Sequence, residues 1–259
     1  MLDRGMLATT IIAFALCAPE IAFAQDEGWS GEASASLSNQ TGTTVSFSGT
    51  VDGTIKRTWE KDEVSARVSA TYGKSKREGD ASSTTTQDNQ GVFTEWKHLF
   101  SEHLFSNTTS ELSRNSTQDR KLRFKVDVGP GVRVWQGEEP AKSHFDVSLG
   151  VGYRYEVYDG NAGVAQDDTD VDHLIDAVLG FEYKNMLFDD RIEWTHTGSA
   201  LVPVNLPGAY LLRTEGIVGV PITEAWSFRL SALVEYTNQV ADNTRRTRTL
   251  TTVGLGYKF

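Results

Sequence analysis

Residues 143–158 read SHFDVSLGVGYRYEVY, and the character of the chain switches at every step. Phe145, Val147, Leu149, Val151, Tyr153, Tyr155 and Val157 fall on one parity; His144, Asp146, Ser148, Gly150, Gly152, Arg154 and Glu156 fall on the other. Successive side chains of a β-strand point to opposite faces, so this stretch is a strand with one apolar face and one polar or small face. Strands of soluble sheets run to about 5–6 residues, whereas crossing the hydrocarbon of a bilayer takes about 9–11. The alternation here outlasts the longer figure. A periplasmic sandwich strand also alternates, so length, mid-strand charge and the connections must decide between a sandwich and a membrane barrel.

The pattern recurs along the chain. Val45, Phe47, Val51 and Ile55 oppose Ser46, Ser48, Asp52 and Lys56; Val64, Ala66, Val68, Ala70 and Tyr72 form another row, as do Leu122, Phe124, Val126, Val128, Val132 and Val134. Further rows carry Ile175 to Tyr183, Tyr210 to Ile222, and Trp226 to Tyr236. Connections alternate in length: 60–63, 100–103, 136–142, 185–190 and 222–225 are short, while 76–88, 114–120, 159–170, 198–207 and 238–246 are longer and polar. With weaker segments at 29–39, 89–99, 104–113 and 190–197, the sequence predicts an all-β transmembrane antiparallel up-and-down β-barrel of about 12 strands, with both chain ends on the short-turn side.

In such a barrel the polar parity faces the lumen and the aromatics toward strand ends lie at the membrane interfaces. Trp59, Tyr72, Trp96, Trp135, Tyr183, Trp194, Tyr210, Trp226 and Tyr236 fit the second role. The inward mid-strand charges are Arg67, Glu95, Lys125, Asp127, Arg154, Glu156, Asp176, Glu182, Arg213, Glu215, Arg229 and Glu235. Of these, Arg67, Lys125, Asp127, Arg154, Glu156, Arg213, Glu215 and Arg229 are expected to hold or gate the interior, either as a closed lattice of ion pairs or as the lining of a narrow water-filled channel. The chain ends TVGLGYKF. Val253, Leu255, Tyr257 and Phe259 read as the lipid-facing row of a closing strand, with Thr252, Gly254, Gly256 and Lys258 inward, and Tyr257 and Phe259 as a terminal aromatic signal for the barrel-assembly machinery. This register predicts that arginine is costly at Val253 and tolerated at Thr252.

The first residues, MLDRGMLATTIIAFALCAPEIAFAQ, combine Arg4, an apolar run from Met6 to Ala18 and a small-x-small site at Ala22–Ala24. They read as a secretory signal peptide, 1–24, leaving 25–259 as the barrel. The one cysteine, Cys17, lies in that run and follows Leu16, a poor match to a lipid-attachment site, so disulfides and thiolate chemistry are not expected in the mature chain. With 35 acidic residues against 25 basic ones, nucleic acid is not an expected partner. No segment is apolar for long enough to form a transmembrane helix.

The chain resembles the salt-induced outer-membrane proteins of bacteria, a family grouped as a domain of unknown function. The resemblance is carried by GWSGEASASL (28–37) with Thr41-Gly42-Thr43, DVGPGVRVW (127–135), GVGYRYEVYDG (150–160) and TRRTRTLTTVGLGYKF (244–259). Members often show Gly-Asn-Thr in the first loop, where this chain passes directly from Gly42 to Thr43. The resemblance implies an outer-membrane barrel and transfers no catalytic or binding residue.

Two further constellations are weighed. His196, Thr197, Gly198 and Ser199 are placed at an outer strand end, where a lipid hydrolase would need nucleophile and base within hydrogen-bond reach, but no triad motif surrounds them. Asp159, Asn161, Asp167, Asp168 and Asp170 offer oxygen ligands for calcium or magnesium without the spacing of a calcium loop. Histidines at i and i+2 on one strand face do not occur, and no cofactor is expected. The expected function is therefore that of a non-enzymatic outer-membrane barrel with an envelope-structural or stress-related role and passage of small solutes or ions. Its expected partners are outer-membrane lipid, lipopolysaccharide and the assembly machinery. A lipid-acting enzyme and a soluble periplasmic binding sandwich are the alternatives.

Overall fold

The computed structural model describes residues 29–40, 44–77, 84–116, 120–140, 142–158, 171–206, 208–238 and 247–259. The expected signal peptide, residues 41–43, most of the expected longer connections and the acidic 159–170 segment lie outside these residues. The described chain forms twelve strands: β1 (Trp29–Gln40), β2 (Thr44–Thr58), β3 (Asp62–Arg77), β4 (Thr84–Leu99), β5 (Leu104–Asn115), β6 (Arg120–Gln136), β7 (His144–Tyr158), β8 (Val171–Leu187), β9 (Ile192–Pro203), β10 (Leu211–Pro221), β11 (Trp226–Thr237) and β12 (Thr247–Lys258). Each pairs antiparallel with its sequence neighbours, and β1 pairs with β12 to close a single barrel. A two-sheet sandwich is thereby excluded.

Closure explains why apolar residues can stand outside. Leu149, Tyr153, Ile175, Leu179, Val253 and Leu255 are exposed on the outer wall, while their sequence neighbours Ser148, Arg154, Asp176, Gly180, Thr252 and Gly254 turn inward. An apolar outer wall around a charged interior, with every strand edge paired, is the solution a bilayer imposes. The chain is an outer-membrane β-barrel. Its six tryptophans, Trp29, Trp59, Trp96, Trp135, Trp194 and Trp226, all lie at the short-turn end, where amphipathic rings suit the headgroup layer. Tyr72, Tyr153, Tyr210 and Tyr236 lie toward the other end.

Several connections are shorter than the sequence predicts, and two of them show why. Residues 84–88 continue β4, still paired with β3 through Lys74↔Thr85 and Tyr72↔Asp88; beyond the lipid a strand needs no apolar row, so its alternation fades. Residues 198–203 belong to β9, with Leu201 facing inward at 2 % exposure against Val178 and Leu211. Ala200 and Val202 outside and Leu201 inside make both faces apolar, which erases the period-two signal.

The β1–β12 seam spans six residue pairs, Glu32↔Lys258 to Leu37↔Val253, against fifteen between β2 and β3. Gly31 and Phe259 extend it by reciprocal backbone bonds of 2.9 and 3.0 Å. The Phe259 ring covers Gly31, filling the space a side chain would take, and Tyr257 packs between Trp226 and Phe259. The last aromatics thus cap the shortest ladder among the described strands.

Candidate functional site

The lumen is the candidate site. A cavity of about 770 Å³ is lined from Glu32 and Lys258 at the short-turn end to Arg120 and Arg248 at the other. Its wall beside β1 to β3 is largely Ser and Thr, whereas β4 to β11 bring most of the charge.

At mid-height Arg67 spans the interior. Its guanidinium donates to Asp52 on β2 at 3.0 Å and to Glu215 on β10 at 3.3 Å. Four strands separate β3 from β10 around the wall, so this is a bridge across the lumen. Arg213 adds a second contact to Glu215 at 3.6 Å. Nearby, Lys125 pairs with Asp127 at 2.8 Å, and Thr109 donates to the same carboxylate.

Toward the long-loop end the pairs are buried. Arg154 donates two hydrogen bonds of 3.0 Å to Asp176 and lies 3.7 Å from Glu156. Glu156 is held by Arg123, by Arg120 at 3.8 Å and by the Tyr158 hydroxyl at 2.9 Å. Charges this deeply buried persist only when each is matched, because an unmatched one forfeits its hydration without return.

At the short-turn end Arg229 reaches across β12 to Glu32. It can do so because Gly256 lies beneath: a Cβ there would come within 2.9 Å of the Arg229 side chain. Lys258 and Lys184 share Glu193 at 2.7 and 3.3 Å, and Lys97 joins Asp146 and Glu182 at 3.0 and 3.2 Å. Outside the wall, in the β6–β7 turn, Glu139 hydrogen-bonds Lys142 and raises its pKa. Full exposure leaves that pair little weight.

All eight charges singled out in the sequence lie on the inward face. The structure brings together Arg67, Arg213 and Glu215; Lys125 and Asp127; and Arg154 and Glu156. Arg229 pairs with none of the others. Of their remaining charged partners, Asp52, Glu32, Arg123 and Asp176 carry the inward parity of their strands, which is the signal for them in the sequence, whereas Arg120 reaches Glu156 from beyond the register shift in β6 and is off that parity. Lys97, Arg133 and Asp146 lie near strand ends, outside the mid-strand charges that the alternation singles out.

The hydrolase constellation comes apart. His196 sits within β9 and faces outward, its Nε2 2.8 Å from the Thr214 hydroxyl and its ring against Phe181; Ser199 faces the lumen. Three residues along a strand put the two on opposite sides of the wall.

Residues 33–259 match the family described as "Protein of unknown function, DUF481". The chain belongs to DUF481. No curated protein matches it. Among solved structures, this DUF481 chain is similar to the translocator domain of the autotransporter NalP from Neisseria meningitidis, with TM-score 0.49, 13% identity, and 98% of this chain and 97% of that one covered. It is also similar to the NanC porin, with TM-score 0.48, 7% identity and coverage of 88% and 97%. An outer membrane channel from Pseudomonas putida F1 gives TM-score 0.47, 12% identity and coverage of 93% and 98%. Likeness at this level says nothing of activity, which has to be read from the DUF481 chain's own lumen.

Proposed function

We propose that this DUF481 barrel is a non-enzymatic envelope protein whose lumen, narrowed by ion pairs, passes ions and small solutes only. The carrying observation is Arg67, bonded to Asp52 on one side of the lumen and to Glu215 on the other. A bridge at mid-height subdivides the cross-section and leaves passage only beside it. The buried lattice around Glu156 narrows the long-loop end further, and a wall this heavily cross-braced suits an envelope-structural role under stress. Separation of His196 and Ser199 on opposite faces supports the non-enzymatic reading. Export behind residues 1–24, contact with lipid and lipopolysaccharide, and recognition of Tyr257 and Phe259 by the assembly machinery complete the proposal. N-terminal sequencing of protein from outer membranes should begin at Gln25.

The test is planar-bilayer conductance of protein refolded in detergent, after heat-modifiable gel mobility has established folding. Wild type should give small, reproducible current steps, and Arg67→Ala, which removes the bridge, should enlarge them. Equal step sizes in the two proteins would show that Arg67 does not set the constriction.

A further inference from the structure

We infer that His144, Asp146 and Glu182 form a binding site for a divalent transition-metal ion of the zinc class at the short-turn end of the lumen, with the Lys97 ammonium as the ion's built-in competitor. One ligand atom from each of the three residues lies within 4.8 Å of the other two. The topology makes the cluster compact: His144 and Asp146 are i and i+2 on the inward face of β7, and Asp146 pairs directly with Glu182 on β8.

His144 is the observation that points to a ligand. It is only 5 % exposed, and its Nδ1 lies 2.7 Å from the Pro140 carbonyl oxygen. A carbonyl can only accept, so Nδ1 carries the hydrogen and Nε2 is the nitrogen left to take a metal ion or a proton. That nitrogen is buried without a hydrogen-bond partner and faces Glu182 Oε2 at 3.7 Å, too far for a hydrogen bond. A lone pair aimed at a carboxylate repels it unless something positive lies between them, and either a metal ion or a proton on Nε2 would serve.

The rest of the cluster is arranged for the metal. Arg133 donates to both Asp146 oxygens, at 2.7 and 2.9 Å, and so fixes the carboxylate's orientation as an outer partner of a ligand does. Lys97 contacts Asp146 Oδ2 and Glu182 Oε2, the oxygens that a metal would take. A divalent ion therefore replaces one positive charge with two, and Lys97 has Glu95, two residues back on the same face of β4, to turn toward. One imidazole and two carboxylates form a ligand set that zinc accepts.

Three of the other four described histidines supply controls. His98 is paired with Asp62 at 2.9 Å, and His173 and His196 bond Tyr153 and Thr214 at 2.7 and 2.8 Å; His103 is exposed near the β4–β5 turn. The experiment is calorimetric titration of the detergent-refolded full chain with zinc chloride, together with a zinc K-edge absorption spectrum of the loaded wild type. One equivalent should bind, about 100-fold or more weaker in His144→Ala, weaker in Glu182→Gln and tighter in Lys97→Met, with heat-modifiable mobility retained. The wild-type spectrum, which depends on no variant folding, should show one imidazole nitrogen among oxygen ligands at about 2.0–2.2 Å. Absence of binding, binding that persists in folded His144→Ala, or a spectrum without imidazole would overturn the site and leave Nε2 protonated against Glu182.

Discussion

At the scale of single residues, the register of β12 makes two neighbours behave oppositely. Val253 is exposed on the outer wall near the middle of its strand, so Val253→Arg should lower stability by about 2–4 kcal/mol if it lies at the bilayer midplane, read by urea unfolding in lipid vesicles. Thr252 faces inward as the sequence implies, yet it is 8 % exposed and bonded to Ser231 at 2.6 Å. The tolerance of arginine expected there from parity alone is withdrawn, and Ser69, half-buried on the lumen face of β3, is the better control. Parity was legible because a strand has only two faces, whereas crowding within the lumen depends on strands distant in sequence. Arg154 shows the same limit. It reads as an inward charge, but only the fold reveals that Asp176, at 1 % exposure, depends on it. Arg154→Met should cost about 3–5 kcal/mol by leaving that carboxylate buried and uncompensated, and adding Asp176→Leu should recover most of the loss. A double variant no more stable than the single one would mean that the pair does not act as a unit.

At the scale of elements, β6 and β7 approach most closely where both carry glycine. A Cβ on Gly129 would run into the Leu149 carbonyl oxygen, and one on Gly150 would lie 2.6 Å from that of Val128. Pro130 supplies no N–H, and the described pairing steps from Val128↔Val151 to Gly131↔Ser148 across this point. Backbone cannot yield as a flexible side chain can, so Gly129→Ala should destabilise by about 1–3 kcal/mol or more, seen as a lower temperature for the heat-induced mobility shift. The seam makes a second case. β1 and β12 share the shortest described ladder, and Phe259 covers Gly31 at its end. Phe259→Ala should speed amide hydrogen exchange in β1 and in the end of β12 while leaving β6 and β7 unchanged. Uniform exchange across all strands would show that the seam does not open separately. The glycines and the terminal aromatic stood plainly in the sequence, but their partners, set by closure and strand stagger, did not.

At the scale of the whole molecule, an interior of matched charges has little sign of its own, and its selectivity rests on which charge is left over at the narrowest point. The proposed constriction puts Arg67 there, between two carboxylates. Arg67→Ala would leave Asp52 and Glu215 facing the passage, and the enlarged steps should favour cations. Replacing Asp52 and Glu215 together by alanine would leave the guanidinium, and the current should favour anions. Reversal potentials across a potassium chloride gradient read both signs, best at low salt, where the Debye length of about 30 Å at 0.01 M leaves lumen charges least screened. Opposite shifts would place the field of the constriction at this bridge. Shifts of one sign in both variants would place it elsewhere, and the buried lattice of Arg123, Arg154 and Glu156 would then be the structure that ions have to pass.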